Sequence, residues 1–163
     1  MKGDKAIIAK LNSILTNELT SVNQYFLHAR MYDNWGYTKL GKKTYDESIE
    51  EMRHADALIK RILFLEGLPN VQSLLKMNIG EKPEECIASD LQYEIKGRVD
   101  LIAAIQECET HHDYVSSNLL RQILQDTEDH IDYLETQLGL IDSIGLQNYL
   151  QSMMGDGEPS SAT

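Results

Sequence analysis

Cysteine is nearly missing from this chain. Cys86 and Cys108 are the two in 163 residues, too few and too far apart for a thiolate metal site, and packing is the role left to them. Positive charge is short as well. Fifteen Lys and Arg stand against 26 Asp and Glu, a formal net charge of -11, which argues against nucleic acid or an anionic membrane as a partner and makes cations the natural guests. Nowhere do eighteen apolar residues run together, and Met1 to Leu11 mixes charges with short apolar pieces. Neither membrane insertion nor secretion is signalled, so the expected location is the cytoplasm. Proline occurs three times, and glycine gathers in a few places, leaving long stretches without a helix breaker.

Within those stretches apolar residues recur at spacings of three and four, the signature of amphipathic helices and not of strands. Ile8, Leu11, Leu15, Leu19, Val22, Phe26 and Ala29 predict a first helix from about Asp4 to Asn34, interrupted by "NWGY". Leu40, Ile49, Ala55, Leu58 and Ile62 predict a second from Thr38 to Phe64, closed by Gly67 and Pro69. After the irregular "NVQSLLKMNIGEKP", a third helix is expected from Glu84 to about His111 through Leu91, Ile95, Ile102 and Ile105. A fourth is expected from Asp113 to Leu138 through Leu120, Ile123, Ile131 and Leu134, and past Gly139 and Gly145 "LQNYLQSMM" suggests a short fifth. The predicted fold is therefore all-α, a four-helix bundle with a long crossover between helices two and three. One domain over 1–155 is expected, with a disordered polar tail over 156–163.

The two helix pairs conceal a repeat. Glu18 and Glu94, His54 and His130, and Glu51 and Thr127 are each 76 positions apart, so one offset holds across the crossover. Glu18 lies among Leu15, Leu19 and Val22, and Glu94 between Leu91 and Ile95, on stripes that otherwise face a core. An ionised carboxylate buried without compensation costs several kcal/mol, so acids aimed inward need cations. Glu51 and His54, three residues apart, occupy one helix face at about 5–6 Å and can reach a common centre. A single Glu from each of two helices with Glu-x-x-His from the other two is the pattern of di-iron carboxylate bundles. Glu109 and His112 repeat the Glu-x-x-His spacing, but His112 lies eighteen residues beyond Glu94, about 27 Å along a helix. That pair reads as a solvated helix end.

With Glu18, "EEMRHAD" (50 to 56) and His130 in place, the chain resembles the bacterioferritins along nearly all its length, as do "NQYFLHARM", "RILFLEGLPN", "HIDYLETQL" and "GLQNYLQ". The resemblance implies a ferritin-like four-helix bundle that assembles into a hollow shell of twenty-four subunits. It further implies oxidation of Fe(II) to Fe(III) by dioxygen or peroxide, storage of ferric mineral, haem b between subunit pairs, and a small ferredoxin-type electron donor. The family's dinuclear iron ligands fall on Glu18, Glu51, His54, Glu94 and His130. The sixth, a second bridging Glu, is replaced by Thr127, whose hydroxyl is neutral and too short to span two irons. Glu128 is turned by about 100° and is expected to face solvent or another subunit, so weaker iron binding and slower paired oxidation are expected.

Met52, judged alone, reads as packing. The resemblance makes it the axial ligand of a haem shared across a twofold axis, and its place about 100° around the helix from Glu51 keeps it off the metal face. Tyr25, two turns from Glu18, matches a family tyrosine that supplies an electron; packing is an equal alternative. The resemblance sets Asp46 and Glu50 at the places where some members hold an inner-surface iron through a His and an acid; with the His missing, the two read at least equally as a solvated acidic face. A rival function is a haem-binding structural subunit with little oxidase activity that co-assembles with a complete second subunit. A rubrerythrin-like reductase lacks its Cys-x-x-Cys module.

Overall fold

The computed structural model describes residues 1–155, and the tail expected over 156–163 lies outside them. Five helices follow one another without a strand among the described residues: α1 Lys5–Asn34, α2 Thr38–Phe64, α3 Pro83–Thr110, α4 Tyr114–Ile144 and α5 Leu146–Met153. Local chemistry sets the starts. The Asp4 carboxylate accepts from the Ala6 N–H at 2.7 Å to cap α1, and Asp113 accepts from the Ser116 N–H at 3.0 Å to cap α4. Pro83 opens α3, followed by Glu84 and Glu85 in its first turn, where the helix dipole favours acids.

Helix α1 pairs with α2 and α3 with α4, and α1 also packs on α3, which brings one face of every long helix into a common core. That core is split. One apolar cluster holds Leu11, Leu15, Leu58, Ile62, Leu101, Ile105, Leu120 and Ile123. The other holds Tyr32, Leu40, Ile87, Leu134 and Tyr149. On each helix a set of buried polar groups falls between the two clusters: Glu18 and the Tyr25 hydroxyl on α1, Glu51 and His54 on α2, Glu94 on α3, Thr127 and His130 on α4. The bundle thus carries a polar belt at mid-height between two dry ends.

Residues 65–82 are the crossover, and α1 holds it down. Thr20 Oγ accepts from the Leu75 N–H at 2.9 Å, Gln24 Oε1 from Asn78 at 3.0 Å, and His28 Nε2 from Gly80 at 3.1 Å. Asn12 Oδ1 accepts from Asn70 at 2.7 Å. Because both sets of numbers rise together, the crossover runs in the direction of α1 and returns the chain to the far end, where Pro83 begins α3. Asp90, buried on α3, closes the network by meeting Gln24 Nε2 and His28 Nδ1, each at 2.8 Å.

Three sequence expectations need correction. Helix α4 does not stop at Leu138 but runs through Gly139 to Ile144; Gly139 is exposed and helical, and Gly145, with φ of 83°, makes the stop. A lone glycine costs a helix only about 1 kcal/mol, too little to end one that is packed on both sides of it. Ile95 and Phe26, counted among the inward residues, are 46% and 44% exposed. Phe26 lies instead against Tyr45 and the guanidinium of Arg30.

Candidate metal centre

The belt gathers Glu18, Glu51, His54, Glu94 and His130, all at least nine-tenths buried. Each is delivered by a helix whose neighbouring turns pack into one of the apolar clusters. His54 Nδ1 is 3.1 Å from Glu18 Oε2 and 3.3 Å from Glu51 Oε2. Its Nε2 meets Asp126 Oδ2 at 2.9 Å, which aims Nδ1 at the belt. His130 Nδ1 is 2.9 Å from Glu94 Oε1, the oxygen that also accepts from the Tyr25 hydroxyl at 2.5 Å. Tyr25 is fully buried, edge-on to the His130 ring at 5.4 Å.

Crowding sets the electrostatics. Burial pushes the Glu51 carboxyl well above its usual range, and the neighbouring Glu18 charge pushes it further. Burial and the Glu51 charge do the same to Glu94. Burial would lower both imidazoles, but hydrogen bonds and charges from Glu18 and Glu51 outweigh it and lift His54 to about 11. Glu94 does so for His130, at about 9. Protons here occupy places that cations would take.

Among the described residues, three groups of His, Asp and Glu present ligand atoms within 4.8 Å of one another: Glu18, Glu51 and His54; Glu47, Glu51 and His130; Glu50, His54 and Asp126. Glu51 belongs to the first two, and one carboxylate carries two oxygens, so the belt can accommodate two cations side by side with Glu51 between them. Hard oxygen with borderline nitrogen is a donor set that suits Fe(II) and other first-row divalent ions. Thr127, buried at 4% exposure, stands one turn from His130 on the inward side of α4. Glu128 points away and pairs with Arg98 at 2.8 Å.

Sequence reasoning missed Glu47 and Asp126. A signal for Glu47 existed, since it lies one turn before Glu51 on the same helix face. Asp46 and Glu50, considered together as an inner-surface pair, part company: Asp46 pairs with Lys42 at 2.8 Å, while Glu50 joins the His54 and Asp126 group. Glu109 is held by Ser117 and Arg121 at the α3–α4 junction, far from the belt, and His112 contacts Tyr114. Met52 is 46% exposed on the flank of α2, away from the belt. Both cysteines are buried, with thiols pushed up by burial to about 12 for Cys86 and about 11 for Cys108. They are packing thiols, not reactive ones.

Comparison with known proteins agrees with this geometry. Residues 8–144 match the ferritin-like domain. The bacterioferritin of Brucella melitensis biotype 1 is 47% identical over 151 residues, covering 93% of this chain and 94% of that protein. The bacterioferritin of Mycobacterium avium is 48% identical over 151 residues (91% and 94%), and that of Streptomyces coelicolor 45% over 159 residues (98% and 95%). With its five helices, its crossover and this identity along nearly the whole length, the chain belongs to the bacterioferritin family, and membership implies iron storage.

Proposed function

We propose that this chain is a ferroxidase subunit of an iron-storing shell, with a dinuclear site built from Glu18, Glu51, His54, Glu94 and His130 and weakened by Thr127. Fe(II) is the substrate. Two Fe(II) ions held side by side can give two electrons to one dioxygen or peroxide molecule, and the Fe(III) formed passes inward to mineral. The observation that carries the reading is Glu51, the carboxylate common to the group with Glu18 and His54 and the group with His130, with Glu94 joined to the second through His130 at 2.9 Å. Glu18 and His54 serve the first position, Glu94 and His130 the second. Tyr25 is the proposed electron donor to the second position, a role supported by its hydrogen bond to Glu94. The negative charge of the chain suits a container for cations, and the proposed location is the cytoplasm.

Met52 is the proposed axial ligand of haem b. It fits that role because the residue is exposed on a flank about 100° around α2 from Glu51, with half-buried Ile49 and Tyr45 on the same face at i−3 and i−7. One chain supplies one ligand, so the haem belongs between two copies, and paired thioethers favour its ferrous state. A shell of twenty-four subunits and a small ferredoxin-type donor complete the proposal.

A second reading rests on Thr127: a haem-bearing subunit that oxidises little iron and co-assembles with a complete partner subunit. Retention of five buried ligands favours the first. The deciding measurement is the rate and stoichiometry of Fe(II) oxidation by the homogeneous shell. Uptake of two irons per subunit with oxidation above background supports the ferroxidase, and Thr127→Glu is expected to speed it. Background oxidation in a normally assembled shell would hand the role to the structural subunit, and equal rates for the two proteins would remove Thr127 as the cause of impairment.

A further inference from the structure

We propose that Glu47 is a metal ligand in this chain, completing the second cation position, beside Glu51, Glu94 and His130, in place of the acid that Thr127 lacks. The inference rests on the dinuclear reading and goes beyond it by adding a residue outside the five already placed.

The geometry is specific to one side of the site. Glu47 Oε2 is 3.7 Å from His130 Nδ1, too long for a hydrogen bond. It is the separation expected of two donors on one ion, since ligand atoms about 2.0–2.2 Å from a common divalent centre stand roughly 3–4 Å apart. Glu47 groups with Glu51 and His130 but not with Glu18 or His54. It therefore acts as a terminal ligand at the second position and not as a bridge. Thr127, one turn from His130 on α4, presents a short neutral side chain at 4% exposure, and so supplies no carboxylate to the belt.

Charge points the same way. Glu18, Glu51 and Glu94 bring three negative charges against the four positive charges of two divalent ions. Glu47 restores the balance. A second observation stands apart from the acids: the ammonium of Lys43 pairs with Glu47 Oε1 and lies 4.9 Å from the centre of the Tyr133 ring. A tethered cation thus already rests against this carboxylate. Lys43 is 42% exposed, so it can yield to an arriving ion by moving into water. The two residues line a cleft of about 180 Å³ with Glu50, Asp126, Asp129 and His130, an acidic approach that ends on the His130 imidazole.

The consequence is asymmetry. The second position binds a divalent ion tightly and the first, lacking any substitute for the bridge, binds one weakly. The test is a Co(II) titration of the assembled metal-free shell, read by calorimetry and by the visible cobalt spectrum. The native chain is expected to take up one tight ion per subunit and then a weaker one. Glu47→Gln is expected to weaken the tight step tenfold or more, Lys43→Met to tighten it, and Thr127→Glu added to Glu47→Gln to recover two-ion binding. A Glu47→Gln titration superimposable on that of the native shell would overturn the role of Glu47 alone. A native shell that binds no Co(II) in the belt would overturn the dinuclear reading with it.

Discussion

Single residues at the belt link metal binding to protons. With His130 lifted to about 9 and His54 to about 11, both imidazoles are protonated in the metal-free protein at neutral pH, and a cation must displace those protons to reach the lone pairs. The sign follows directly. Raising the pH removes the competing proton, so affinity for a divalent ion rises with pH and levels off for the His130 position above about 9. Each displaced proton contributes up to about tenfold per pH unit below its pKa. Zn(II) titrations at pH 6.5 and pH 8 should therefore show tighter binding at the higher value, with proton uptake by the buffer; equal affinities would mean that the imidazoles are not ligands. Glu18, Glu51, His54, Glu94 and His130 were legible in the sequence because a repeat with a fixed offset placed acids on apolar stripes. Glu47 was not, because a Glu one turn from a ligand is common on a solvated face, and only the packing of α4 against α2 brings it to His130.

At the scale of the element, α1 does two jobs with one helix. Its apolar side builds the bundle, while Asn12, Thr20, Gln24 and His28 hold the crossover through its backbone N–H groups. Gln24 is fully buried and satisfies both Asn78 and Asp90. Truncating it to Ala removes the acceptor of the Asn78 N–H and one of the two partners of the buried Asp90 oxygen, which keeps His28, and the expected loss is about 1–3 kcal/mol, the range for disturbing one buried hydrogen-bonded group. The check is thermal unfolding together with amide exchange, which should quicken at Asn78 and Gly80. Helix α4 carries the opposite case. Gly139 is exposed and helical, and a Cβ there meets nothing within 4 Å. Gly139→Ala should stabilise the protein by about 0.5–1 kcal/mol, read as a higher unfolding temperature. The four long helices were legible from period and breakers, with starts and stops within a residue or two at most ends. The end of α4 was not, because a glycine stops a helix only where the backbone turns left-handed, as Gly145 does.

For the whole molecule, exposure of apolar groups is what a single chain leaves unfinished. Met52, Phe26, Leu27, Ile95 and Val99 are 44–60% exposed, in keeping with a subunit that buries more surface on assembly. The proposed haem gives this scale its own prediction. Protein produced with haem available should show a Soret band, and Met52→Leu should lose it while the shell and the Co(II) titration stay intact. A Soret band unchanged by Met52→Leu would place the haem elsewhere.

By itself the sequence determined the helical class, the crossover and five of the belt residues, since periodicity and a repeated motif are properties of order along the chain. It also determined that Thr127 breaks the repeat. Tertiary structure alone decided which acids meet which imidazoles. Glu47 and Asp126 approach His130 and His54 because α2 and α4 pack side by side, and no spacing along the chain encodes a distance between two helices joined through a third and a crossover.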